Sequence, residues 1–247
     1  MTGVLVLLRH GESTANQAGI FSGLLDVPLT RHGTQQARAA GILLGEHGIF
    51  PDIAFTSTLQ RAVRTAELVK SAVGKDYPTE PIWQLNERNY GALTGVTKTR
   101  ARAELGEAEF SHFRRSLHGR PPAMSLRSWI ALRRSPALRR LPAEAVRRSE
   151  SLSDVVRRLQ PVLTGQLLPA VRAGMSVLVV AHGNSLRALC ACIDGLSERE
   201  LEDLNLPTGQ PLLYAAGPAG SLSPRGGTYL DPTAPDAAAT VAAEGGT

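Results

Sequence analysis

The chain begins with an apolar run that ends in charged and polar residues. Val4 to Leu8 are all aliphatic and lead directly into Arg9, His10 and Gly11. A short aliphatic run of this kind predicts a fully buried strand, and a following glycine allows the backbone to turn sharply. Because open α/β sheets bind ligands at the carboxyl ends of their strands, we expect His10 to lie in a binding site.

A second apolar run ends in the same way. Val177 to Val180 form another short aliphatic stretch, followed by His182, Gly183 and Asn184 at the start of a predicted helix. Two strands of one parallel sheet end at the same edge. The sequence therefore predicts that His10 and His182 lie close together.

A second Arg-His-Gly triplet occurs at residues 31–33, but it does not follow a strand. Thr30 precedes it and has the character of a helix N-cap, and an amphipathic pattern follows. We therefore expect His32 to be a solvated residue in the first turn of a helix.

The order of the apolar patterns predicts an α/β fold, a mostly parallel sheet with helices on both faces. The predicted strands and helices cover residues 4–8, 30–46, 53–56 and 59–73, then 152–171, 177–180, 185–194 and 211–214. Residues 89–150 interrupt this pattern and are expected to form an inserted helical cap, which we call the cap segment. We expect residues 1–216 to form one catalytic domain and residues 217–247 to form a flexible tail.

The length and composition of the chain limit the classes of protein to which it can belong. A chain of 247 residues with 43% hydrophobic residues is long enough to bury one large core. The N-terminal apolar run is too short for a signal or membrane segment. Cys190 and Cys192 are the only cysteines in the sequence, which favours neither a disulfide framework nor a zinc site. These features predict a cytoplasmic protein without a membrane partner.

Positive charge is concentrated in the cap segment. Between Ser111 and Arg148 there are ten arginines and one acidic residue, within a chain of net charge +5. One interpretation is electrostatic capture of a small anionic substrate; the other is a solvated basic surface. Nucleic-acid binding is disfavoured, because only 4% of the residues are aromatic and they do not alternate with the arginines.

The chemistry predicted at the two strand ends is phosphoryl transfer. A neutral imidazole is a competent nucleophile, and we assign this role to His10. Arg9, Arg61 and His182 are expected to stabilise the charge on the transferring phosphoryl oxygens, assisted by the helix start after His182. Glu87, in a glycine-containing loop, is the candidate proton donor and acceptor.

A metal centre built from His10, His182 and Glu87 is the alternative for the same residues. Two arginines at the site repel a cation and attract an anion, so we predict a site without metal. For Glu87, burial favours the protonated acid and the arginines favour the carboxylate. The sequence leaves open which effect dominates.

Several further segments carry a family resemblance. They are RHGE, FSGLLDVPLT, the helix start around Arg61, LNERNYGALTG, Lys98, FRRS, SESL, AHGNSLRAL and LNLPTGQPLLY, and they span nearly all of residues 4–214. In these motifs the chain resembles the histidine phosphatase superfamily and, within it, the cofactor-dependent phosphoglycerate mutases.

The resemblance implies interconversion of 3- and 2-phosphoglycerate through a phosphohistidine primed by 2,3-bisphosphoglycerate. It also implies a homo-oligomer, a dimer or tetramer, and a tail that covers the site. The substrate contacts that it implies are Ser13, Asn16, Ser22, Gly23, Tyr90, Lys98, Arg114, Arg115, Gly183 and Asn184. Because water also resolves a phosphohistidine, a phosphatase acting on small phosphoesters stays the alternative.

Overall fold

The computed structural model describes residues 2–217 and 221–243. The strands are β1 (Val4–Arg9), β2 (Ile53–Thr56), β3 (Thr79–Pro81), β4 (Ser176–Ala181), β5 (Pro211–Ala216) and β6 (Leu222–Tyr229). The α-helices are α1 (Thr14–Gln17), α2 (Arg31–Glu46), α3 (Gln60–Val73), α4 (Lys98–Leu105), α5 (Glu107–Arg115), α6 (Leu126–Arg133), α7 (Leu152–Val162), α8 (Leu168–Arg172), α9 (Gly183–Asp194), α10 (Glu198–Asp203) and α11 (Ala234–Ala243). A π-helical turn, Leu163–Leu167, joins α7 to α8, and single 3₁₀ turns lie at Trp83–Leu85, Gly91–Leu93 and Ala143–Ala145.

The strands form one sheet in the order β3-β2-β4-β1-β5-β6. The first four are mutually parallel, whereas β5 and β6 are antiparallel to their neighbours. The predicted α/β class with a mostly parallel sheet is confirmed. The two strands that carry the histidines, β1 and β4, are adjacent in the centre of the sheet.

Two hydrophobic cores cover the two faces of the sheet. In β1, Leu5 and Leu7 belong to the core formed with α7 and α9, whereas Val6 and Leu8 belong to the core formed with α2 and α3. Alternate side chains of a strand point to opposite faces, so an uninterrupted aliphatic strand is buried on both sides. This explains why β1 lacks the polar–apolar alternation of a half-exposed strand.

The predicted helices match the observed ones closely. Thr30 accepts a hydrogen bond from Gly33 N at the start of α2, and His32 lies exposed on the first turn, as predicted. The predicted helix over residues 152–171 consists of α7, the π-helical turn and α8. The Thr30 cap therefore sets the start of α2 as the sequence indicated.

The segment after β5 has more regular structure than its Gly- and Ala-rich composition indicates. Strand β6 pairs with β5 through an irregular register, and α11 follows it. Tyr229, at the end of β6, packs against the core beside α9. This pairing adds backbone hydrogen bonds that composition alone does not reveal.

The glycine of the second Arg-His-Gly triplet, Gly33, packs against the turn that follows the first triplet. A Cβ atom at Gly33 would overlap the backbone of Glu12, and a Cβ atom at Gly11 would overlap the carbonyl of Gly33. The start of α2 therefore lies directly against the turn that follows His10. Close backbone approach of this kind requires glycine on both sides.

The cap segment contains helices α4, α5 and α6 and two small cores. One core is formed around Phe21, Tyr90 and Phe110, and the other around Leu24, Met124 and other apolar residues. Across the described residues, each helix is too short or too polar to cross a membrane.

Candidate active site

The histidines predicted at the two strand ends lie side by side. Arg9 is paired with Ala181 in the parallel register of β1 and β4, and His10 N donates to the carbonyl of Ala181 over 3.0 Å. The rings of His10 and His182 are 4.9 Å apart between centroids and meet edge to face. Both residues are buried, with His10 3% exposed.

A backbone contact fixes the tautomer of His10. Its Nδ1 lies 2.7 Å from the carbonyl oxygen of Gly11. A carbonyl oxygen only accepts, so Nδ1 carries the proton and the lone pair lies on Nε2. The Gly11 turn is itself fixed, because Gly11 N donates to Thr65 Oγ1. The ring is thus held with one nitrogen available as a nucleophile.

Ser57 is a residue that the sequence analysis missed. Its Oγ lies 2.7 Å from Nε2 of His182, and it also accepts a hydrogen bond from Leu59 N. Ser57 directly follows β2, as His10 follows β1 and His182 follows β4. The rule that located the two histidines therefore also identifies Ser57, whose side chain orients His182.

Arg9 and Arg61 lie at the histidine pair as buried cations. Arg9 Nη1 donates to the carbonyl of Leu206 over 2.7 Å. Arg61 donates from its two terminal nitrogens to the carbonyls of Leu25 and Gly23. Both guanidinium groups are thereby held by neutral oxygens, and their positive charge is not neutralised by these contacts.

Burial and these cations keep the two histidines neutral. Burial lowers the pKa of His10 well below its ordinary value of 6.5, and the charges of Arg61 and Arg9 lower it further. The pKa of His182 is lowered for the same reasons, with burial first and Arg61 second. Burial lowers the pKa of Arg61 to about 10, so this side chain is still charged at neutral pH.

Glu87 supplies the carboxylate of the site. Its Oε1 accepts a hydrogen bond from Arg88 N over 2.7 Å, and its Oε2 accepts one from Asn184 N over 3.4 Å. Electrostatic interaction with Glu87 raises the pKa of both Arg9 and Arg61, against the larger effect of burial. The carboxyl group therefore lies near the guanidinium groups that flank His10 and at the first turn of α9.

A second group of polar side chains lies on the cap side of Glu87. Asn184 Nδ2 donates to the hydroxyl of Tyr90 over 2.7 Å, and its Oδ1 accepts from Arg187 Nη1 over 3.1 Å. The Arg88 guanidinium stacks on the Tyr90 ring. Arg88 and Arg187 are fully buried, and neither was recognised in the sequence. Arg187 lies one helical turn after Asn184 on the buried start of α9, which is the sequence signal for it.

These two arginines hold the end of helix α5. Arg88 Nη2 donates to the carbonyl of Arg114, and Arg187 Nη2 donates to the carbonyl of Arg115. The Arg114 guanidinium is buried over the rings of Phe21 and Phe110, and burial lowers its pKa to about 10. The end of α5 is therefore fixed against α9 by side chains from the main body of the fold.

The remaining predicted contacts lie on several elements. Arg115 donates to the carbonyls of Glu202 and Leu204 and to Asn205 Oδ1, so its guanidinium lies against the segment after α10. Lys98 begins α4, and its backbone N–H donates to the carbonyl of Gly19.

The other predicted contacts line the turns near His10. Ser13 and Asn16 form the capping box of α1, in which the Ser13 hydroxyl donates to Asn16 Oδ1. Ser22 and Gly23 lie in the turn held by Arg61, and Gly183 is the buried first residue of α9.

The basic surface of the cap segment is separate from these buried charges. The arginines at positions 134, 139, 140, 147 and 148 are exposed, whereas Arg88, Arg114 and Arg187 are buried. Among the residues that the structure describes, no group of three or more His, Cys, Asp or Glu side chains is arranged to hold a metal ion. The cationic character of the site thus arises from the buried arginines rather than from these exposed ones.

The arrangement matches a known family along most of the chain. The sequence profile of the histidine phosphatase superfamily (branch 1) matches residues 5–212. The chain belongs to this superfamily. The matched range includes β1, β4 and the residues described above.

Superfamily members of known name are similar over nearly the full length. The 2,3-bisphosphoglycerate-dependent phosphoglycerate mutase of Thermobifida fusca is 45% identical over 231 residues, which cover 93% of this chain and 94% of that protein. The enzyme of the same name from Corynebacterium diphtheriae is 43% identical, and the aligned residues cover 99% of this chain and 98% of that protein.

Solved structures share the fold. YhfR of Bacillus stearothermophilus superposes with a TM-score of 0.67 at 25% identity, covering 89% of this chain and 94% of that one. A mycobacterial glucosyl-3-phosphoglycerate phosphatase superposes with a TM-score of 0.66 at 24% identity, covering 86% of this chain and 92% of that one.

Proposed function

We propose that this protein is a 2,3-bisphosphoglycerate-dependent phosphoglycerate mutase. In this proposal, Nε2 of His10 carries the phosphoryl group between the two oxygens of a phosphoglycerate. The relatives with the mutase name, at 41–45% identity over nearly the whole chain, support this assignment.

The observation that carries the proposal is an excess of buried positive charge in two groups. One group is Arg9 and Arg61 beside His10, and the other is Arg88 and Arg187 beside Tyr90. Buried charges are normally paired, so a site of this kind favours a ligand with anionic groups at both ends. A small acid with a phosphate and a carboxylate has this distribution of charge.

Hydrogen-bond donors support the same class of ligand. The Nε atoms of Arg9, Arg61, Arg88 and Arg187 are buried, and they make no hydrogen bond among the described residues. Buried donors normally have partners, so this set favours a ligand rich in acceptor oxygens. The donor set thus fits 2,3-bisphosphoglycerate, which supplies a transferable phosphoryl group when it is bound.

In this proposal, different residues act as nucleophile, as proton donor and acceptor, and as stabilisers of charge during phosphoryl transfer. Nε2 of His10 attacks phosphorus, the new N–P bond forms and the P–O bond breaks. Glu87, in its protonated form, donates a proton to the departing oxygen and becomes a carboxylate, and Arg9, Arg61 and His182 stabilise the charge on the phosphoryl oxygens. In the return step Glu87 takes the proton of the acceptor hydroxyl, whose oxygen attacks phosphorus as the N–P bond breaks.

The cap side of the site orients the acceptor in this proposal. Tyr90, Asn184 and Arg114 lie together, and Lys98, Ser13, Asn16, Ser22, Gly23 and Gly183 line the surrounding turns. A clamp of charge-assisted hydrogen bonds favours the acceptor hydroxyl over water at the phosphohistidine. The mutase activity therefore depends on the cap segment more than the first transfer does.

A phosphatase is the second candidate, and one contact favours it. The Arg115 guanidinium, a substrate contact according to the family resemblance, donates hydrogen bonds to carbonyls of Glu202 and Leu204, at and after the end of α10. With that side chain withdrawn, the acceptor is held by fewer cations and water competes better.

The experiment that separates the two compares transfer with hydrolysis. We expect the protein to interconvert 3- and 2-phosphoglycerate, much faster with traces of 2,3-bisphosphoglycerate, and to release inorganic phosphate slowly. Arg114→Met should lower the mutase rate by at least about 10²-fold, because a buried charge-assisted contact is lost. Arg134→Met, at an exposed position of the same segment, is the matched control and should leave the rate unchanged. Faster phosphate release than interconversion in the parent protein would favour the phosphatase.

The domain organisation, oligomeric state, location and partners of the protein stay predictions. We propose that residues 1–216 form the catalytic domain and that residues 217–247 act as a lid. Residues 218–220 and 244–247 of this segment lie outside the part of the chain that the structure describes. A homo-oligomeric state, a cytoplasmic location and the absence of a nucleic-acid partner also stay predictions.

A further inference from the structure

Arg158 on helix α7 binds the backbone of the loop that carries Glu87. Its Nη2 donates to the carbonyl of Asn86 over 2.7 Å and to that of Glu87 over 3.4 Å. Its Nη1 donates to the carbonyl of Gln84. One guanidinium group therefore binds three carbonyls within four consecutive residues, 84–87.

A buried carboxylate completes the arrangement. Glu150 Oε1 accepts from Arg158 Nε over 3.1 Å, and Glu150 Oε2 accepts from Asn89 N over 2.9 Å. Both side chains are less than a tenth exposed, 9% for Arg158 and 5% for Glu150. Asn89 also accepts a hydrogen bond from Glu150 N through its own carbonyl. Arg158 and Glu150 thus hold the loop on both sides of Glu87.

The position of Arg158 is unusual for an arginine. It lies between Val155 and Val162 on the side of α7 that faces the core, where the neighbouring turns carry buried aliphatic residues. The next residue along the chain, Arg157, is 71% exposed and contacts only Asp154 among the described ion pairs. Two adjacent arginines on one helix therefore have opposite environments.

We propose that Arg158 is a positioning residue for proton transfer at the active site. It fixes the backbone of Glu87 so that the carboxyl group lies at the oxygen that leaves or attacks phosphorus. This inference rests on the proposed role of Glu87. It assigns no contact between Arg158 and the substrate.

The physical reason is the absence of regular structure around Glu87. Residues 86–89 lie between two 3₁₀ turns, so helical or strand hydrogen bonds do not hold them. A rigid, bidentate guanidinium on a helix is well suited to fix such a segment. A displacement of about 1 Å in a catalytic group is sufficient to lower a rate by about 10²-fold.

A double-mutant cycle tests the proposal. The measured quantity is the rate of phosphorylation of the protein by 2,3-bisphosphoglycerate in a single turnover. We expect Arg158→Met to lower this rate by about 10²-fold when Glu87 is present. In the Glu87→Gln background, the same change should alter the rate by no more than about 2-fold, because the group that Arg158 positions is already lost. Arg157→Met is the matched control and should leave the rate unchanged in both backgrounds.

Several outcomes are decisive. An equal loss from Arg158→Met in both backgrounds would show a purely structural role and overturn the proposal. A normal rate for Glu87→Gln alone would instead contradict the proposed proton transfer. Thermal unfolding is measured for each variant. If Arg158→Met does not fold, Glu150→Gln takes its place, with a smaller loss expected that again depends on Glu87.

Discussion

The imidazole rings of His10 and His182 lie edge to face, with centroids 4.9 Å apart and an angle of 62° between their planes. Both rings are buried beside Arg9 and Arg61. Two protonated imidazoles at this separation would repel each other and both arginines. Burial and these charges therefore favour the neutral form of the pair, which is also the form that attacks phosphorus.

The neutral pair predicts a pH dependence of stability. The folded-state pKa values of His10 and His182 lie well below 6.5, so the unfolded chain binds more protons as the pH falls below that value. The free energy of unfolding should therefore fall with decreasing pH, by up to about 1.4 kcal/mol per pH unit for each histidine. Chemical unfolding of the parent and of His10→Gln and His182→Gln between pH 5 and 7 measures this.

Each substitution in the pair should make the dependence on pH less steep. Equal slopes for the parent and both buried-histidine variants would contradict the neutral, buried pair.

Glu87→Gln keeps the shape of the side chain and removes the transferable proton. We expect single-turnover phosphorylation by 2,3-bisphosphoglycerate to slow by about 10²- to 10⁴-fold, the range for general acid catalysis, with little change in binding. Glu80→Gln, at an exposed position of β3, is the control. Near-normal turnover of the Glu87 variant would assign the proton transfer to another group.

Gly33→Ala should destabilise the protein, because the new methyl group overlaps the backbone of Glu12. We expect a loss of about 1–3 kcal/mol in the free energy of unfolding, together with reduced activity from displacement of the turn after His10. Gly45→Ala, in the same helix with open space around it, should be neutral or stabilising by up to about 1 kcal/mol. Equal effects of the two changes would contradict the close contact.

Removal of metal ions should not change turnover, because arginine side chains supply the positive charge in the proposed mechanism. The measurement is the interconversion of 3- and 2-phosphoglycerate after dialysis against EDTA. Loss of activity that Mn²⁺ or Zn²⁺ restores would make the histidines metal ligands.

Sequence patterns were sufficient to predict strands that are unbroken aliphatic runs and a helix that begins at a clear N-cap. Strands β1 and β4 are unbroken aliphatic runs, and α2 begins at the Thr30 cap. Strand β3 gave no such signal, because all three of its residues are exposed and its pairing comes only from backbone hydrogen bonds with β2.

Residues whose roles depend on distant partners were not found in the sequence. Ser57 and His182 are separated by 125 positions, so their contact is visible only in three dimensions. Arg158 binds the loop 71–74 positions before it. The sequence signal for Arg158 is a charged residue on the apolar side of a predicted helix.

The central claim is that Nε2 of His10 carries the phosphoryl group. The most direct test is brief exposure to 2,3-bisphosphoglycerate, an alkaline quench that preserves phosphohistidine, and assignment of the phosphorylated residue and ring nitrogen by mass spectrometry and ³¹P NMR. Because Nδ1 donates to the Gly11 carbonyl, we predict phosphate on Nε2 of His10 and none in His10→Ala. Phosphate on Nδ1, or equal labelling of His10→Ala, would contradict the account.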